Sequence, residues 1–246
     1  MFIKNGILFS RKIGVSIMAK KYLLIKRILD FLIALAFLIV FFPLFIIVAI
    51  AIKLDSPGPI LFLQERSGKN GKTFKIYKFR SMHTDNDAMN FNYDDKITNV
   101  GKFIRRTSID ELPQIINILK GEMSFIGPRP WMTEYSKYFS DHQRKRLDVL
   151  PGITGLAQCK GRNGIGVKEK INYDIKYVEE MSLIMDIYII FSTVGAVLKR
   201  DGVSSNKTII RDELEELRNQ NKDSSIYIEN ESVNLKEFKQ ETLGVA

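Results

Sequence analysis

The sequence predicts an α+β, mostly helical protein. It is expected to have a membrane-embedded re-entrant helix at its N-terminus, amphipathic interfacial helices and a small cytoplasmic domain that contains a β-hairpin. Three observations favour this fold class. Residues 31–52 carry no charge, the short segments 60–64 and 74–79 are typical of strands, and other apolar residues recur at helical spacing. A chain of 246 residues is long enough for one domain beside the membrane segment.

The apolar segment 22–54 is predicted to be a membrane helix that bends at Pro43. A bilayer core about 30 Å thick requires roughly 20 apolar residues of helix, and residues 31–52 satisfy that length. A proline inside a helix removes a backbone hydrogen bond and clashes with the preceding turn. The helix is therefore expected to break at Pro43 into two halves, neither of which spans a bilayer alone.

Both flanks of this segment are basic. Lys20, Lys21, Lys26 and Arg27 precede the uncharged run, and a similar excess of lysine and arginine follows it up to residue 80. Since short basic flanks stay in the cytoplasm, equal charge on both sides favours a helix that enters the cytoplasmic leaflet and returns. A single-pass anchor with a proline kink is the alternative. A cleaved signal peptide is disfavoured because the apolar run is too long.

The charge of the chain is basic and unevenly distributed. The net charge is +9, residues 201–246 carry −4, and residues 1–200 therefore carry +13. A basic body on a membrane segment suits anionic headgroups and phosphate-bearing substrates, and nucleic acid is the other common partner. The single cysteine, Cys159, excludes an internal disulfide, and two histidines are too few for a structural zinc site.

Proline, glycine and apolar periodicity divide the rest of the chain. The Ser-Pro-Gly-Pro segment at 56–59 ends the membrane helix, and residues 68–71 are the predicted turn of the hairpin. A helix is predicted over residues 112–119, because apolar residues recur there at helical spacing and Gly121 follows as a stop signal.

The remaining segments are assigned by composition. The sequence predicts a polar mobile loop at residues 83–100, a basic helical stretch at 132–147 and a glycine-rich loop at 151–166. It also predicts a second apolar stretch at 187–198 and an acidic mobile tail at 205–246. The second apolar stretch is too short to span a membrane. It is expected either to lie in the interface or to pack beneath the membrane helix.

The strongest candidate for chemistry is the segment Arg105–Gln114. Pro113 is tolerated only near a helix start, so Asp110 is expected at a helix N-terminus, where partial positive charge keeps it ionised. An ionised carboxylate can attack phosphorus or carbon, and Glu111 beside it could hold Mg²⁺. The two arginines at the start of the segment could neutralise phosphate oxygens. The alternative is that Ser108 and Glu111 form a capping box that merely closes the helix end.

Two loops carry further cations. Two prolines flank Arg129 and restrain its backbone, so less entropy is lost when its guanidinium binds a phosphate. The glycine-rich segment 151–155, followed by Arg162, is typical of loops that approach phosphates. Both patterns also occur in ordinary turns. In the second strand Lys75 and Lys78 differ in parity, so they share a face only if a bulge intervenes.

Four strings of residues occur in an order that resembles the bacterial sugar transferases known as monotopic phosphoglycosyl transferases. These strings are Lys78-Phe79-Arg80-Ser81-Met82, Asp110-Glu111-Leu112-Pro113-Gln114, Met123-Ser124-Phe125-Ile126-Gly127-Pro128-Arg129-Pro130 and Pro151-Gly152-Ile153-Thr154-Gly155-Leu156-Ala157-Gln158. The resemblance runs from about residue 22 to residue 205, and the chain is similar to the small form of that family.

The resemblance implies an enzyme that moves a sugar-1-phosphate from a UDP-sugar to polyprenyl (undecaprenyl) phosphate. It implies that the active site lies on the cytoplasmic face of the bacterial inner membrane. It also implies that the enzyme catalyses the first membrane step of polysaccharide or glycoconjugate assembly. The family aspartate matches Asp110, which would attack the β-phosphate, release UMP and carry a phosphosugar until polyprenyl phosphate displaces it. The family glutamate matches Glu111 and is linked to Mg²⁺.

The resemblance also implies binding residues and partners. The candidates for binding substrate phosphates are Lys78, Arg80, Arg105, Arg129 and Arg162. The expected partners are the UDP-sugar, polyprenyl phosphate and anionic membrane lipids, with later-acting glycosyltransferases as further candidates and no nucleic acid. The expected domains are an extension (residues 1–21), a re-entrant helix broken at Pro43 (22–54), a catalytic domain on the cytoplasmic face (55–204) and an acidic tail (205–246).

One residue departs from the family pattern. The family often has serine before the proline of its membrane helix, whereas this chain has Phe42. A serine hydroxyl could satisfy a backbone carbonyl freed by the bend, and phenylalanine cannot. A non-catalytic, membrane-tethered basic module that binds anionic lipid or nucleic acid is the alternative function. That alternative gives no reason for Asp110 and Glu111 beside paired arginines.

Overall fold

The structure is a computed structural model that describes residues 2–83, 96–161, 165–198 and 215. The described part is mostly helical, with one long N-terminal helix and a small β-hairpin, which confirms the coarse fold class. The helices are α1 (Phe2–Asp55), α2 (Asn99–Arg106), α3 (Ile115–Lys120), α4 (Thr133–Ser136), α5 (Asp141–Arg144), α6 (Leu156–Gly161), α7 (Val167–Glu180) and α8 (Leu183–Leu198). The strands are β1 (Leu61–Ser67), β2 (Thr73–Phe79), β3 (Ser124–Ile126) and β4 (Gly152–Thr154), and short 3-10 helices span Lys69–Gly71, Ile109–Gln114 and Lys145–Leu147.

The long helix α1 extends further than the predicted segment 22–54, because residues 2–21 are helical as well. Pro43 lies inside α1, and the helical backbone continues on both sides of it. The part Lys21–Asp55 is long and apolar enough to cross a membrane, and 11% of its most apolar window is buried. Such low burial is unlike an ordinary core helix. The re-entrant path of this helix stays a prediction.

One stripe of α1 packs along the rest of the protein. Near the start of the apolar part Lys21–Asp55, Tyr22 and Lys26 donate hydrogen bonds of 2.5 and 2.6 Å to the carboxylate of Asp186 in α8. At its end, the carboxylate of Asp55 accepts a hydrogen bond of 2.8 Å from the backbone N–H of Val100 at the start of α2. Both ends of the apolar part of α1 therefore contact the same body.

Two core clusters are shared between α1 and this body. The buried members of the first cluster are Ala34, Phe74, Ile76, Ile115, Ile118 and Met123, and those of the second are Val48, Ile52, Phe79 and Ile104. Most other large apolar side chains of α1 face outwards, and Ile39, Val40 and Leu54 are 67%, 69% and 84% exposed. The helix thus buries one stripe against protein and leaves the remainder for another apolar environment.

The predicted hairpin is present. Strands β1 and β2 pair antiparallel in an uninterrupted register from Leu61 opposite Phe79 to Ser67 opposite Thr73. Since no bulge interrupts this ladder, Lys75 and Lys78 point to opposite faces of the hairpin.

Strands β3 and β4 pair in parallel, which the sequence does not predict. The segment 151–166 was expected to be a loop, and that expectation is wrong for β4 and for α6. Glycine is needed here for a close approach of two backbones: a Cβ added to Gly152 would lie 2.1 Å from the backbone nitrogen of Gly127. The glycines therefore allow two segments to pack rather than only permitting a turn.

Other segments differ in part from the structure that the sequence predicts for them. The basic stretch 132–147 is helical, but it is divided into three short pieces. In α8, Ile189 is fully buried while Phe191 is 73% exposed, so the second apolar stretch packs with one side and exposes the other. Most of the predicted loop 83–100 and the predicted tail 205–246, apart from residue 215, lie outside the described residues.

Arg80 makes structural contacts with the end of α1. Its side chain is buried, and its guanidinium donates hydrogen bonds to the carbonyl oxygens of Ser56 at 2.7 Å, Pro57, and Ile52 at 3.5 Å. The last carbonyls of a helix have no intrahelical partner. Arg80 therefore satisfies carbonyls at the end of α1, and its expected role in phosphate binding stays a prediction, since it also lines the cleft described below.

Replacement of Arg80 tests this structural role. We expect Arg80→Ala to destabilise the detergent-solubilised protein by roughly 2–3 kcal/mol, because buried carbonyls lose a charged donor. The melting temperature should fall by about 5–10 °C, while Lys75→Ala on the exposed side of the same strand should leave it unchanged. An unchanged melting temperature combined with a raised KM for substrate would contradict the structural role and support phosphate binding by Arg80.

Candidate active site

A cleft of about 510 Å³ opens between the hairpin, the end of α2 and the 3-10 helix Ile109–Gln114. Its charged lining residues include Lys78, Arg80, Arg105 and Asp110. Its apolar wall contains Pro59, Leu61, Phe62 and Met82. The cleft therefore combines cations and a carboxylate with apolar side chains, close to the end of α1.

The two predicted carboxylates lie in the first turn of a 3-10 helix. The residue before that helix, Ser108, has a φ of 59°, which is uncommon for a residue with a side chain. Ser108 makes no side-chain capping hydrogen bond, and the side chain of Glu111 contacts cations instead. The capping-box alternative is therefore excluded. Pro113 lies just ahead of α3, as its position in the sequence predicts.

Glu111 is held by two cations from different parts of the chain. Its Oε1 atom accepts hydrogen bonds from Lys78 Nζ at 2.7 Å and from Arg129 Nη2 at 2.9 Å. Burial disfavours the ionised form of Glu111, but the charges and hydrogen bonds of Arg129 and Lys78 outweigh it, so the pKa of Glu111 lies well below its usual range. Glu111 is therefore a permanent anion at neutral pH.

The pKa of Asp110 is shifted in the opposite direction. Burial and the neighbouring negative charge of Glu111 raise the pKa of Asp110 to about 6, although Lys78 and Arg105 act in the opposite direction. Two adjacent carboxylates thus have ionisation equilibria that are far apart. Asp110 is ionised at neutral pH, but it is a stronger base than an ordinary aspartate, as a nucleophile requires.

The cations of the cleft come from well-fixed elements. Lys78 lies on β2 directly opposite Phe62 of β1. Arg105 lies in the last turn of α2, and its Nη1 atom is 3.4 Å from the hydroxyl of Ser81. The structure therefore brings Lys78, Arg105 and Asp110 together at one cleft, and Glu111 lies beside it in contact with Lys78.

The loop that carries Arg129 is fixed by backbone contacts. Gly127 N–H donates to Thr154 O at 2.9 Å, and Gly152 N–H donates to Pro128 O at 3.0 Å. The other end of this loop is held by β1, because Ser67 N–H donates to Trp131 O at 2.9 Å. The half-exposed guanidinium of Arg129 is thereby placed beside Glu111, and the negative charge of Glu111 raises the pKa of Arg129.

One cation near the site is absent from the sequence prediction. Arg66 lies on β1, and burial, together with the positive charge of Arg129, lowers its pKa, while Glu111 acts in the opposite direction. Its Nη2 atom donates to the side chain of Gln64, which lines the cleft. Strand register was the available signal, since Gln64 and Arg66 share the face of the hairpin that Lys78 occupies. Arg162, the last predicted phosphate ligand, lies outside the described residues.

The donor set suits a metal ion that is completed by a substrate. Mg²⁺ is usually held by one or two carboxylates together with phosphate oxygens and water. Both cation contacts of Glu111 use Oε1, and Asp110 is its neighbour in the chain. In the part of the chain that the structure describes, no group of three or more His, Cys, Asp or Glu side chains could hold a metal. Substrate phosphates would have to complete the coordination.

Comparison with known proteins shows the family of the chain. The model of the family described as "Bacterial sugar transferase" matches residues 21–200. A UDP-glucose:undecaprenyl-phosphate glucose-1-phosphate transferase of Caulobacter vibrioides is 42% identical over 188 residues, which cover 72% of this chain and 70% of that protein. The exopolysaccharide production protein PSS of Rhizobium leguminosarum bv. phaseoli is 42% identical over 195 residues, which cover 72% and 97%.

A third relative is named for another sugar. The UDP-N-acetylgalactosamine-undecaprenyl-phosphate N-acetylgalactosaminephosphotransferase of Aeromonas hydrophila is 37% identical over 207 residues, which cover 80% of this chain and 49% of that protein. The match to the family model extends from the apolar helix through the carboxylate pair to α8. The chain therefore belongs to the bacterial sugar transferase family.

Proposed function

We propose that the protein transfers a sugar-1-phosphate from a UDP-sugar to polyprenyl phosphate and releases UMP. The observation that carries this proposal is the carboxylate pair: Asp110 lines a cleft with Lys78 and Arg105, and Glu111 beside it accepts from Lys78 and Arg129. The relatives named above as transferases act on undecaprenyl phosphate, according to their names. Because those names differ in the sugar, the sugar that this chain carries is not part of the proposal.

The first step is a displacement at the β-phosphorus of the UDP-sugar. A carboxylate oxygen of Asp110 forms a bond to phosphorus, and the bond from phosphorus to the bridging oxygen breaks. UMP leaves with the electron pair of that bond, and the sugar phosphate is esterified to Asp110. In the second step an oxygen of polyprenyl phosphate attacks the same phosphorus, and the Asp110 carboxylate leaves unchanged. Two displacements avoid the assembly of three charged partners at once.

The cations around Asp110 provide the charge that this step requires. A diphosphate donor that approaches a carboxylate must be neutralised, and preorganised cations achieve this without reorganisation during the reaction. Lys78, Arg105 and Arg129 are the cations closest to the pair, and Arg66 adds a fourth positive charge nearby. Glu111 with Asp110 would hold Mg²⁺, which would supply further charge neutralisation to the diphosphate.

The apolar wall of the cleft suits the lipid substrate. Leu61, Phe62 and Met82 line the cleft together with the cations, and Phe62, which is 47% exposed, is the cross-strand partner of Lys78. The adjacent helix α1 exposes a continuous apolar surface. A phosphate on a long hydrocarbon chain could place its headgroup beside Lys78 while its first isoprene units remain in apolar surroundings.

The contacts of α1 support a re-entrant arrangement, and the basic flanks of its apolar part favour the cytoplasmic face. The helix Lys21–Asp55 contains 35 residues and is therefore about 50 Å long. A helix that crossed the bilayer would place its ends on opposite sides, where one body cannot contact both. Yet Lys26 contacts Asp186, and Asp55 contacts Val100, so both ends touch the same body.

The alternative of a non-catalytic basic module is disfavoured by the same site. Such a module requires positive charge at its surface and has no need for a partly buried carboxylate pair. Glu111 neutralises part of the charge of Lys78 and Arg129, which would weaken simple binding of anionic lipid.

Replacement of the nucleophile is the direct test. We expect Asp110→Asn to abolish UMP release by the solubilised protein in the presence of UDP-sugars, Mg²⁺ and a short polyprenyl phosphate, because an amide cannot form the phosphate ester. Intact-mass spectrometry of the wild type without acceptor should show an added sugar phosphate, and Asp110→Asn should not. Asp148→Asn, at an exposed position, serves as the matched control. Near-normal turnover of Asp110→Asn would refute the assignment.

The raised pKa of Asp110 predicts the pH dependence of the first step. Because the carboxylate must be ionised to attack, kcat/KM for UMP release should rise about tenfold per pH unit below pH 6 and level off above it. The measurement is a burst of UMP without polyprenyl phosphate, which removes the titration of the acceptor. Arg105→Gln removes a charge that lowers this pKa, so it should shift the acidic limb to higher pH. An acidic limb that does not move would show that another group titrates.

Labelling of the two helix ends tests the topology. In a Cys159→Ala background, Lys21→Cys and Lys53→Cys place single thiols at exposed positions on either side of the uncharged run. We expect both thiols to be protected from a membrane-impermeant maleimide in intact cells and both to react after lysis. Labelling of one end alone in intact cells would establish a helix that crosses the membrane.

A further inference from the structure

A second ion pair lies outside the cleft, beneath the loop that carries Arg129. Arg146 belongs to the 3-10 helix Lys145–Leu147, and Asp174 belongs to α7. Asp174 Oδ2 accepts hydrogen bonds from Arg146 Nη2 at 2.6 Å and from Arg146 Nε at 3.0 Å. The two side chains are 1% and 2% exposed. This ion pair is therefore removed almost completely from water.

A fully buried ion pair contributes little net stability to a fold. Removing two charges from water costs several kcal/mol per ion, and apolar residues of similar volume often stabilise a protein as well or better. The other carboxylate oxygen of Asp174, Oδ1, has no hydrogen-bond partner among the described residues. Stability alone gives no reason for this arrangement.

The third contact of Arg146 connects the pair to the active site. Arg146 Nη2 donates a hydrogen bond of 2.7 Å to the backbone carbonyl of Arg129. The guanidinium also lies 4.8 Å from the ring centroid of Trp131, two residues further along the loop. One buried side chain thus contacts the backbone of Arg129 and the ring that follows it.

The loop transmits this contact to the side chain of Arg129. Pro128 and Pro130 fix two backbone dihedrals around Arg129. Gly152 N–H holds Pro128 from the opposite side. When the carbonyl of Arg129 is fixed as well, the point from which its side chain extends towards Glu111 has little freedom.

We propose that Arg146 and Asp174 form a positioning pair that sets the location of Arg129, and through Arg129 that of Glu111. This inference rests on the proposed function, in which Arg129 acts on a substrate phosphate. Neither member of the pair touches the cleft. The pair acts by keeping a guanidinium at the distance that phosphate contact demands, and a displacement of about 1 Å in such a group can reduce turnover up to 100-fold.

A charge-removing double variant separates positioning from stability. Arg146→Met alone leaves Asp174 buried without its partner and should lower the melting temperature strongly. Arg146→Met combined with Asp174→Leu should restore the melting temperature to near the wild-type value, because no charge is left buried. We expect the double variant to remain about 10- to 100-fold slower in UMP release. Wild-type turnover at a restored melting temperature would overturn the proposal.

A matched control is available on the same two elements. Lys145 and Glu179 form an exposed ion pair of 2.9 Å between the same 3-10 helix and α7. Lys145→Met combined with Glu179→Leu removes charges at neighbouring positions without touching Arg129. This control should keep both turnover and melting temperature.

A thermodynamic cycle shows whether the pair acts through Arg129. In an Arg129→Ala background, the Arg146→Met/Asp174→Leu change should produce no further loss of turnover, because the side chain that it positions is gone. Losses that multiply would show that the pair acts elsewhere, and would overturn the inference. If the double variant does not fold, Asp174→Asn, which keeps the volume and an acceptor oxygen, enters the same cycle with a smaller expected loss. Absence of UMP release from the wild type would instead refute the proposed function itself.

Discussion

The arrangement of the active site depends on a single carboxylate oxygen, Glu111 Oε1, that accepts from Lys78 and Arg129. Lys78 comes from the hairpin, Arg129 from the loop after β3, and Glu111 from the 3-10 helix between them. Because one oxygen of this partly buried carboxylate accepts from both cations, it ties the three segments to one another. The same interaction explains the ionisation of Asp110, because the permanent charge of Glu111 contributes to its raised pKa.

Two contacts at the end of α1 fix residues that are close in the chain to cations of this site. Arg80, which caps the end of α1, follows Lys78 by two residues along the chain. Asp55 holds the first turn of α2, and Arg105 lies in the last turn of that helix. Two cations of the cleft are thus fixed relative to the end of the apolar helix. Chemistry on a lipid-borne phosphate requires such a fixed height above the hydrocarbon region.

Local sequence signals predicted the apolar helix, the hairpin and the residues of the carboxylate pair, because length, strand composition and charged strings reflect short-range chemistry. They failed where the cause is a distant contact. Nothing near Arg80 in the chain shows that it lies under the carbonyls of α1, and nothing near Arg146 shows that it is buried against α7. The glycines of segment 151–155 suggested a loop, whereas they allow β4 to lie against Gly127. Arg66 was missed because its proximity to Arg129 arises only when the loop folds onto β1.

The division of α1 between two environments means that the anchor is also part of the folded domain. Ala34, Val48 and Ile52 are core residues, and Arg27 donates to carbonyls at the end of α3. A soluble fragment made by truncation at residue 56 would lose these side chains and leave the apolar faces of α3 and β2 open to water. Removal of α1 would therefore partly unfold the body that packs against it.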